Sequence, residues 1–399
     1  MPYGDGENGV RIFYKRFGHG STKVLLIIGL AGTHDSWEPQ IKGLTGAVEA
    51  NDDLPAALSD DRGSEASDAE EAQDGIELCC FDNRGMGRSS VPSHKSEYTT
   101  TIMAKDALAL LDHLGWKRAH VFGHSMGGMI ACKLAALAPG RICSLALLNV
   151  TGGGFECFPK IDRQMISLAF RFLSARTPEQ RAIVDLETHY TTEYLDEHVG
   201  SCRRRDILYK EYVKNISSSG MQSNHGFEGQ VNACWNHKMT PKELERIRSA
   251  GFLISIIHGR HDIIAQVNHA RNLAEKLQPV ARMVELHGAH LVSHERPDEV
   301  NQALRELIIA SKCKLKPQEW SWLPERQTTV SARWSILGTK SSTRNNGNSS
   351  ASNLLTVYNF LAKIQLSFLY FLGIFMIAYE HMRSILRTMK PARVAVSNR

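Results

Sequence analysis

Apolar residues recur along the chain in short, near-continuous runs separated by helix-length segments. This is the pattern of a parallel sheet covered on both faces. Lys23-Val-Leu-Leu-Ile-Ile28, Ile76-Glu-Leu-Cys-Cys-Phe81, Arg118-Ala-His-Val-Phe122, Ser144-Leu-Ala-Leu-Leu-Asn149, Phe252-Leu-Ile-Ser-Ile-Ile257 and Arg282-Met-Val-Glu-Leu286 read as strands. Val10-Arg-Ile-Phe-Tyr14 alternates instead; with a turn at Gly18-His-Gly20 it predicts a hairpin from Gly9 to Leu30. Thr101 to Leu114 has helical spacing, and Met129 to Leu137 is a helix-forming stretch stopped by Pro139-Gly140. Strands alternating with helices predict an α/β fold with a mostly parallel, doubly wound sheet.

The alternation breaks between Thr151 and Arg248, where the chain is polar, charged and helix-rich. A helical cap inserted over an active site produces this pattern. The expected organisation is therefore a core over residues 1–150, a cap over 151–248 and the rest of the core over 249–312. The segment 313–353, rich in Ser, Thr and Asn, reads as a linker.

Beyond it lies 354–382, in which Ile364 to Tyr379 carries no charge and is apolar on every face. That composition suits a transmembrane or membrane-inserted C-terminal helix better than an amphipathic surface one, with a buried helix or dimer contact as the alternative. The tail 383–399 is basic. Positive residues prefer the cytoplasmic side, which conflicts with a tail anchor and leaves a shallow insertion at anionic headgroups open.

The net charge of +5 conceals an asymmetry. Glu49 to Asp74 carries ten acids against one base, Arg62, so 47–75 reads as a disordered acidic insertion with little to bury. A partner-binding loop is the other reading of that run. The eight cysteines show no C-x-x-C spacing, and Cys79, Cys80, Cys132 and Cys143 lie in apolar runs as reduced core residues would. The N-terminus has no basic region followed by an apolar core, so no signal peptide is expected. Together these suggest a membrane-associated protein whose main domain is cytosolic.

The chemistry centres on Gly123-His124-Ser125-Met126-Gly127, between a strand-like run and a helix. A serine on a sharp strand-to-helix turn needs small flanking residues, as in the G-x-S-x-G nucleophile elbow. Chance alone produces the pattern about once in five chains of this length and composition, so partners must be found. A serine hydroxyl needs an imidazole to take its proton, and the imidazole needs an acid to orient it. In open α/β sheets such groups gather past the carboxyl ends of strands.

Asp262 follows the run ending at Ile257, and His290 follows the run ending at Leu286 on the turn His287-Gly-Ala-His290. No acid follows the run ending at Asn149, which favours Asp262. His287, His290 and His294 also admit a metal-cluster reading, but no Cys or carboxylate ligand set accompanies them at suitable spacing. Oxyanion donors are expected at the Met126 amide and at the Leu30 amide in Gly29-Leu-Ala-Gly-Thr33.

Gly29-Leu-Ala-Gly32, Asp82-Asn-Arg-Gly-Met-Gly-Arg-Ser89, Gly123-His-Ser-Met-Gly-Gly128, Gly259-Arg-His-Asp262 and Gly288-Ala-His290 together resemble the α/β-hydrolase superfamily in its capped, single-domain form. The resemblance covers about residues 8 to 310. It looks like plant members of the superfamily, with enol-lactone hydrolases, carboxylesterases and hormone-receptor hydrolases as relatives. It implies that Asp82 to Ser89, with Asp82 and Arg84, is a structural loop beside the site, and that Gly29, Gly123 and Gly127 are structural there. Two departures stand out. Ile28 replaces the usual His before the oxyanion glycine, and Gly288-Ala-His290 replaces Gly-Gly-His.

Serine at 125 excludes the aspartate-nucleophile branches of that family. The expected function is a serine hydrolase cleaving a carboxylic ester, lactone or similar acyl substrate, a lipid-like one at a membrane being a secondary reading. The alternative is a small-molecule receptor of the same fold that turns over slowly and signals through its cap. No cofactor, metal or nucleic acid is expected. The expected partners are the acyl substrate and, through 354–382, a membrane.

Overall fold

A computed structural model describes residues 2–51, 75–157, 159, 163–219 and 222–321. The acidic run from 52 to 74, the expected membrane helix at 354–382 and the basic tail lie outside the described residues. Among the described residues no helix is long and apolar enough to cross a membrane.

The strands are β1 (Tyr3–Asp5), β2 (Arg11–Phe17), β3 (Thr22–Ile27), β4 (Ile76–Phe81), β5 (Ala119–His124), β6 (Ile142–Leu148), β7 (His198–Val199), β8 (Cys202–Arg203), β9 (Leu253–Gly259) and β10 (Ala281–Leu286). Eight of them form one sheet in the order β1-β2-β4-β3-β5-β6-β9-β10. From β4 to β10 every neighbouring pair is parallel. The first two strands run antiparallel along one edge.

The hairpin expected between Gly9 and Leu30 does not form. Strand β2 pairs with β4, Tyr14 opposite Phe81, and β4 separates it from β3. Strand β3, apolar on both faces, instead lies inside the sheet with a parallel neighbour on each edge. Leu25 stands opposite Cys79 of β4 and Val121 of β5.

Successive side chains of a strand point to opposite faces, so each run feeds two cores. Leu25 and Ile27 join Leu110 and Leu111 of the helix Thr100–His113 and Ile130 and Leu134 of the helix Met126–Leu137. Val24, Leu26 and Ile28 join Ile41 and Leu44 of the helix Glu38–Thr45 and Leu304 and Leu307 of the helix Pro297–Lys312. Helices thus cover both faces, as a doubly wound sheet requires.

Between β6 and β9 come the helices Arg163–Ser174, Pro178–His189, Thr192–Asp196, Arg204–Ser219, Asn224–Trp235 and Pro241–Ser249. Their starts are written in the chain. Thr177, Thr191 and Ser223 each accept a backbone N–H of the first turn, and Thr240 with Glu243 forms a reciprocal capping box. The small ribbon β7–β8 was not expected, its two-residue strands being too short for any periodic signal.

The fold also continues past residue 312, where the linker was expected to begin. The helix Pro317–Ser321 buries Trp320, whose indole N–H donates to Ile254 O at 2.8 Å.

Candidate active site

Ser125 closes β5 and opens the helix Met126–Leu137 at φ 53° and ψ −120°. A non-glycine residue held there costs on the order of 1–3 kcal/mol and persists only where its surroundings over-determine it. The surroundings do so here. Ser125 N donates to Leu148 O at 2.8 Å, and Ser125 O accepts Gly128 N at 2.9 Å and Met129 N at 3.2 Å. The flanking glycines are steric necessities. A Cβ on Gly123 would lie 2.3 Å from Gly127 O, and one on Gly127 would lie 2.0 Å from Ile27 O. Across the turn, a Cβ on Gly29 would stand 3.0 Å from Ser125 Cβ.

In sheet order, β5, β6, β9 and β10 are followed by Ser125, Asn149, Asp262 and His290 respectively, so the topology gathers these four residues at one rim. His290 Nδ1 donates to Asp262 Oδ2 at 2.8 Å, and both side chains are buried. That bond commits the Nδ1 proton, so the neutral imidazole carries its lone pair on Nε2. Among the described residues no hydrogen bond joins Ser125 Oγ to His290. In unliganded sites such bonds are often long and tighten with substrate.

Burial alone would push the Asp262 carboxyl up. The charge and hydrogen bond of His290, the charge of His258 and the hydrogen bond of Asn149 outweigh burial and hold it at about 2. Its other oxygen accepts the Ile264 and Ala265 N–H groups, each at 2.8 Å.

The three histidines near residue 290 go separate ways. His287 pairs with His261 at 3.1 Å, His290 with Asp262, and His294 Nε2 donates to Ser36 O at 2.8 Å. His294 Nδ1 faces the Tyr190 hydroxyl at 3.2 Å.

Of the two expected oxyanion donors, Met126 follows Ser125 in the chain and Leu30 follows Gly29, the residue that lies against Ser125. No turn, loop or side-chain acceptor among the described residues takes the N–H of Leu30 or Met126. Met126 is the first residue of its helix, where unpaired amides and the helix dipole favour negative charge. Asp82 and Arg84 scaffold the loop beside them. Asp82 accepts the His34 N–H and His34 Nδ1, each at 2.8 Å, and the Arg88 N–H at 3.0 Å. Arg84, wholly buried, forks onto both oxygens of Asp106 at 2.7 Å. Burial pushes the Asp106 carboxyl up, against the hydrogen bond and charge of Arg84.

Several residues were not singled out from the sequence. Asn149 Nδ2 donates to Asp262 Oδ2 at 2.7 Å and to Ala289 O at 3.1 Å. Buried Glu295 accepts the Ala289 N–H at 2.9 Å, the Thr191 N–H at 3.0 Å and the Thr191 hydroxyl at 2.8 Å. It thereby ties the residue before His290 to the helical insertion. His189, from the same insertion, places its ring 5.7 Å from that of His290. A polar residue ending the run at Asn149 was a visible signal; Glu295 and His189 had none.

The model of the alpha/beta hydrolase fold family matches residues 23–297, and the chain belongs to that family. RutD of Azorhizobium caulinodans, assigned as a carbamate hydrolase, is 24% identical over 307 residues, which cover 76% of this chain and 97% of RutD. The crystal structure of the enol-lactonase from Burkholderia xenovorans LB400 aligns with a TM-score of 0.57 at 21% identity, covering 77% of this chain and all of that one. A thermophilic esterase from Thermogutta terrifontis aligns at 0.54 and 18% identity, over 78% and 98% of the two chains. At these identities the likeness to the solved structures is one of fold.

Proposed function

We propose that this chain is a serine hydrolase acting on a carboxylic ester, lactone or related acyl bond. The observation that carries the reading is the 2.8 Å bond from His290 Nδ1 to the buried Asp262 carboxylate, beside a strained serine at a helix N-terminus. Names among the similar proteins, enol-lactonase, esterase and carbamate hydrolase, favour the same reaction class.

In this reading Ser125 Oγ bonds to the acyl carbon while its proton passes to His290 Nε2. The carbonyl π pair moves onto oxygen, where the Leu30 and Met126 N–H groups receive the negative charge. Asp262 keeps the imidazole in the right tautomer and stabilises the imidazolium without itself taking the proton. As the tetrahedral species collapses, the bond to the leaving oxygen breaks and that oxygen takes the proton from His290. Water then repeats the sequence on the acyl-enzyme, releasing the acid and returning the proton to Ser125. The insertion over residues 151–248 acts as the cap that shapes the substrate pocket.

The test is labelling by a fluorophosphonate probe together with turnover of short aryl esters. Both are expected in the wild-type chain and absent in Ser125→Ala. A Ser125→Ala chain that still turned over ester at the wild-type rate would sink the reading.

A further inference from the structure

The oxyanion loop needs a brace, because a backbone N–H stabilises charge only when aimed beforehand. The residue before Gly29 is Ile28, whose side chain can donate nothing. The structure shows where the bracing comes from. Asn83 Nδ2 donates to Ile28 O at 2.8 Å, fixing the peptide before Gly29. Gly32 N donates to Gly29 O at 3.4 Å, engaging the carbonyl of the peptide that carries the Leu30 N–H. Gln230 Oε1 accepts the Ala31 N–H at 2.9 Å, fixing the peptide after Leu30. Ala31 itself sits at φ 59°, a conformation an L residue keeps only under constraint.

Gln230 comes from the helix Asn224–Trp235 of the insertion, 199 residues away in sequence, and is wholly buried. Its own orientation is determined from the other end. Its Nε2 donates to Arg84 O at 3.0 Å, and its Oε1 also accepts Gln222 Nε2 at 3.0 Å. With an acceptor required by Ala31 and a donor by Arg84, the amide can lie only one way round.

We infer that Gln230 is a positioning residue for the oxyanion site, and that seating of the helical insertion sets the aim of the Leu30 N–H. The inference rests on Ser125 being the nucleophile. It makes the insertion part of the catalytic geometry as well as the wall of the pocket. Its energetic signature belongs to the transition state, since the ground-state carbonyl is held less strongly than the oxyanion.

The experiment compares the full chain with Gln230→Met, which keeps the side-chain volume and loses both polar groups. Asn232→Ala serves as control on the same helix; it removes bonds to Lys95 O and Tyr98 O and the one Asn232 Oδ1 accepts from Asn236 Nδ2, none of which touches the oxyanion loop. For Gln230→Met, kcat on an aryl ester is expected to fall about 10- to 100-fold with KM within about twofold. Affinity for a trifluoromethyl ketone should fall by a similar factor. Amide hydrogen exchange at Leu30 and Ala31 should quicken. Asn232→Ala should leave all of these within about twofold.

If Gln230→Met does not fold, Gln222→Ala removes a donor to Gln230 without emptying the interior and should lower kcat about three- to tenfold. A folded Gln230→Met with wild-type kcat, or with unchanged exchange at Leu30 and Ala31, overturns the inference. Should the wild type neither label nor turn over ester, the serine-hydrolase reading falls by itself, and the exchange data still decide whether Gln230 holds the loop.

Discussion

Asn149 donates to Asp262 Oδ2 at 2.7 Å, the same oxygen that accepts the hydrogen bond from His290 Nδ1 at 2.8 Å. A neutral amide at the end of β6 therefore serves the acid at the end of β9, and the carboxylate is held by donors on both oxygens. Asn149→Leu keeps the bulk and removes that donor. It also removes Asn149 Oδ1, a buried acceptor without a partner among the described residues. It sets a leucine at φ 47°, however, a conformation asparagine tolerates better, so the stability cost should be about 2–4 kcal/mol. The Asp262 carboxyl is expected to move up from about 2, because one of the hydrogen bonds holding it down is gone. Ester turnover should fall about tenfold, mostly in kcat. A variant with wild-type kcat and an unchanged acid limb would show that Asn149 does not support Asp262.

Asp262→Asn tests the acid directly. The amide can present a donor where His290 needs an acceptor, favouring the wrong tautomer, and kcat should drop on the order of 10⁴-fold. The pH dependence of stability follows from the same group. Its carboxyl lies at about 2 in the fold against 3.8 ordinarily, so the unfolded chain binds the extra proton as pH falls. The associated stability, about 2 kcal/mol, is present above pH 3.8 and is lost as pH falls towards 2. Acid titration of the melting temperature should show this loss in the wild type and not in Asp262→Asn.

A broader acid lability comes from histidines held neutral in the interior. Burial, with smaller contributions from neighbouring charges, pushes His120 down to about 4 and His124 and His237 down to about 3. Each has a partner suited to a neutral ring: Ser144 Oγ for His120, His290 O for His124 and Thr100 Oγ1 for His237. The unfolded chain takes up protons near pH 6.5 while the fold does not, so stability is complete above 6.5 and falls below it. At pH 5 the three together should take on the order of 5 kcal/mol. Urea unfolding at pH 7.5 and pH 5 measures the difference. Replacing His120 by Asn should reduce it.

Much of this could be read beforehand, for physical reasons. A strand buried on both faces must be a continuous apolar run, so β3, β4, β5, β6, β9 and β10 announced themselves. The positions just past them, Ser125, Asp262 and His290, were therefore visible as neighbours at one rim. Strand pairing was less legible. The Gly18-His-Gly20 turn is a local signal, whereas the preference of β3 for β4 and β5 depends on chain far away. Gln230 and Glu295 were invisible as site residues for the same reason, and Asn149 showed only as a polar end to its run, without its partner. Their partners lie 113 residues away for Asn149 with Asp262, 199 for Gln230 with Ala31 and 104 for Glu295 with Thr191.

Glu295 offers the sharpest test of how the insertion is tied to the core. Its carboxylate joins Thr191, at the start of the helix Thr192–Asp196, to Ala289, the residue before His290. A second link runs alongside, from Leu291 N to His189 O at 3.0 Å. Glu295→Ala would leave the Ala289 and Thr191 N–H groups buried without acceptors, at about 1–3 kcal/mol each. The expected destabilisation in urea is about 3–5 kcal/mol, and ester turnover should fall more than about tenfold where the variant is still folded. Thr191→Ala alone should cost about 1–2 kcal/mol, since it loses a hydroxyl that also caps its helix. Because both changes strike one bonded unit, the double variant should cost less than their sum by about 1 kcal/mol or more. Strict additivity would mean that Glu295 holds the His290 turn without help from the insertion.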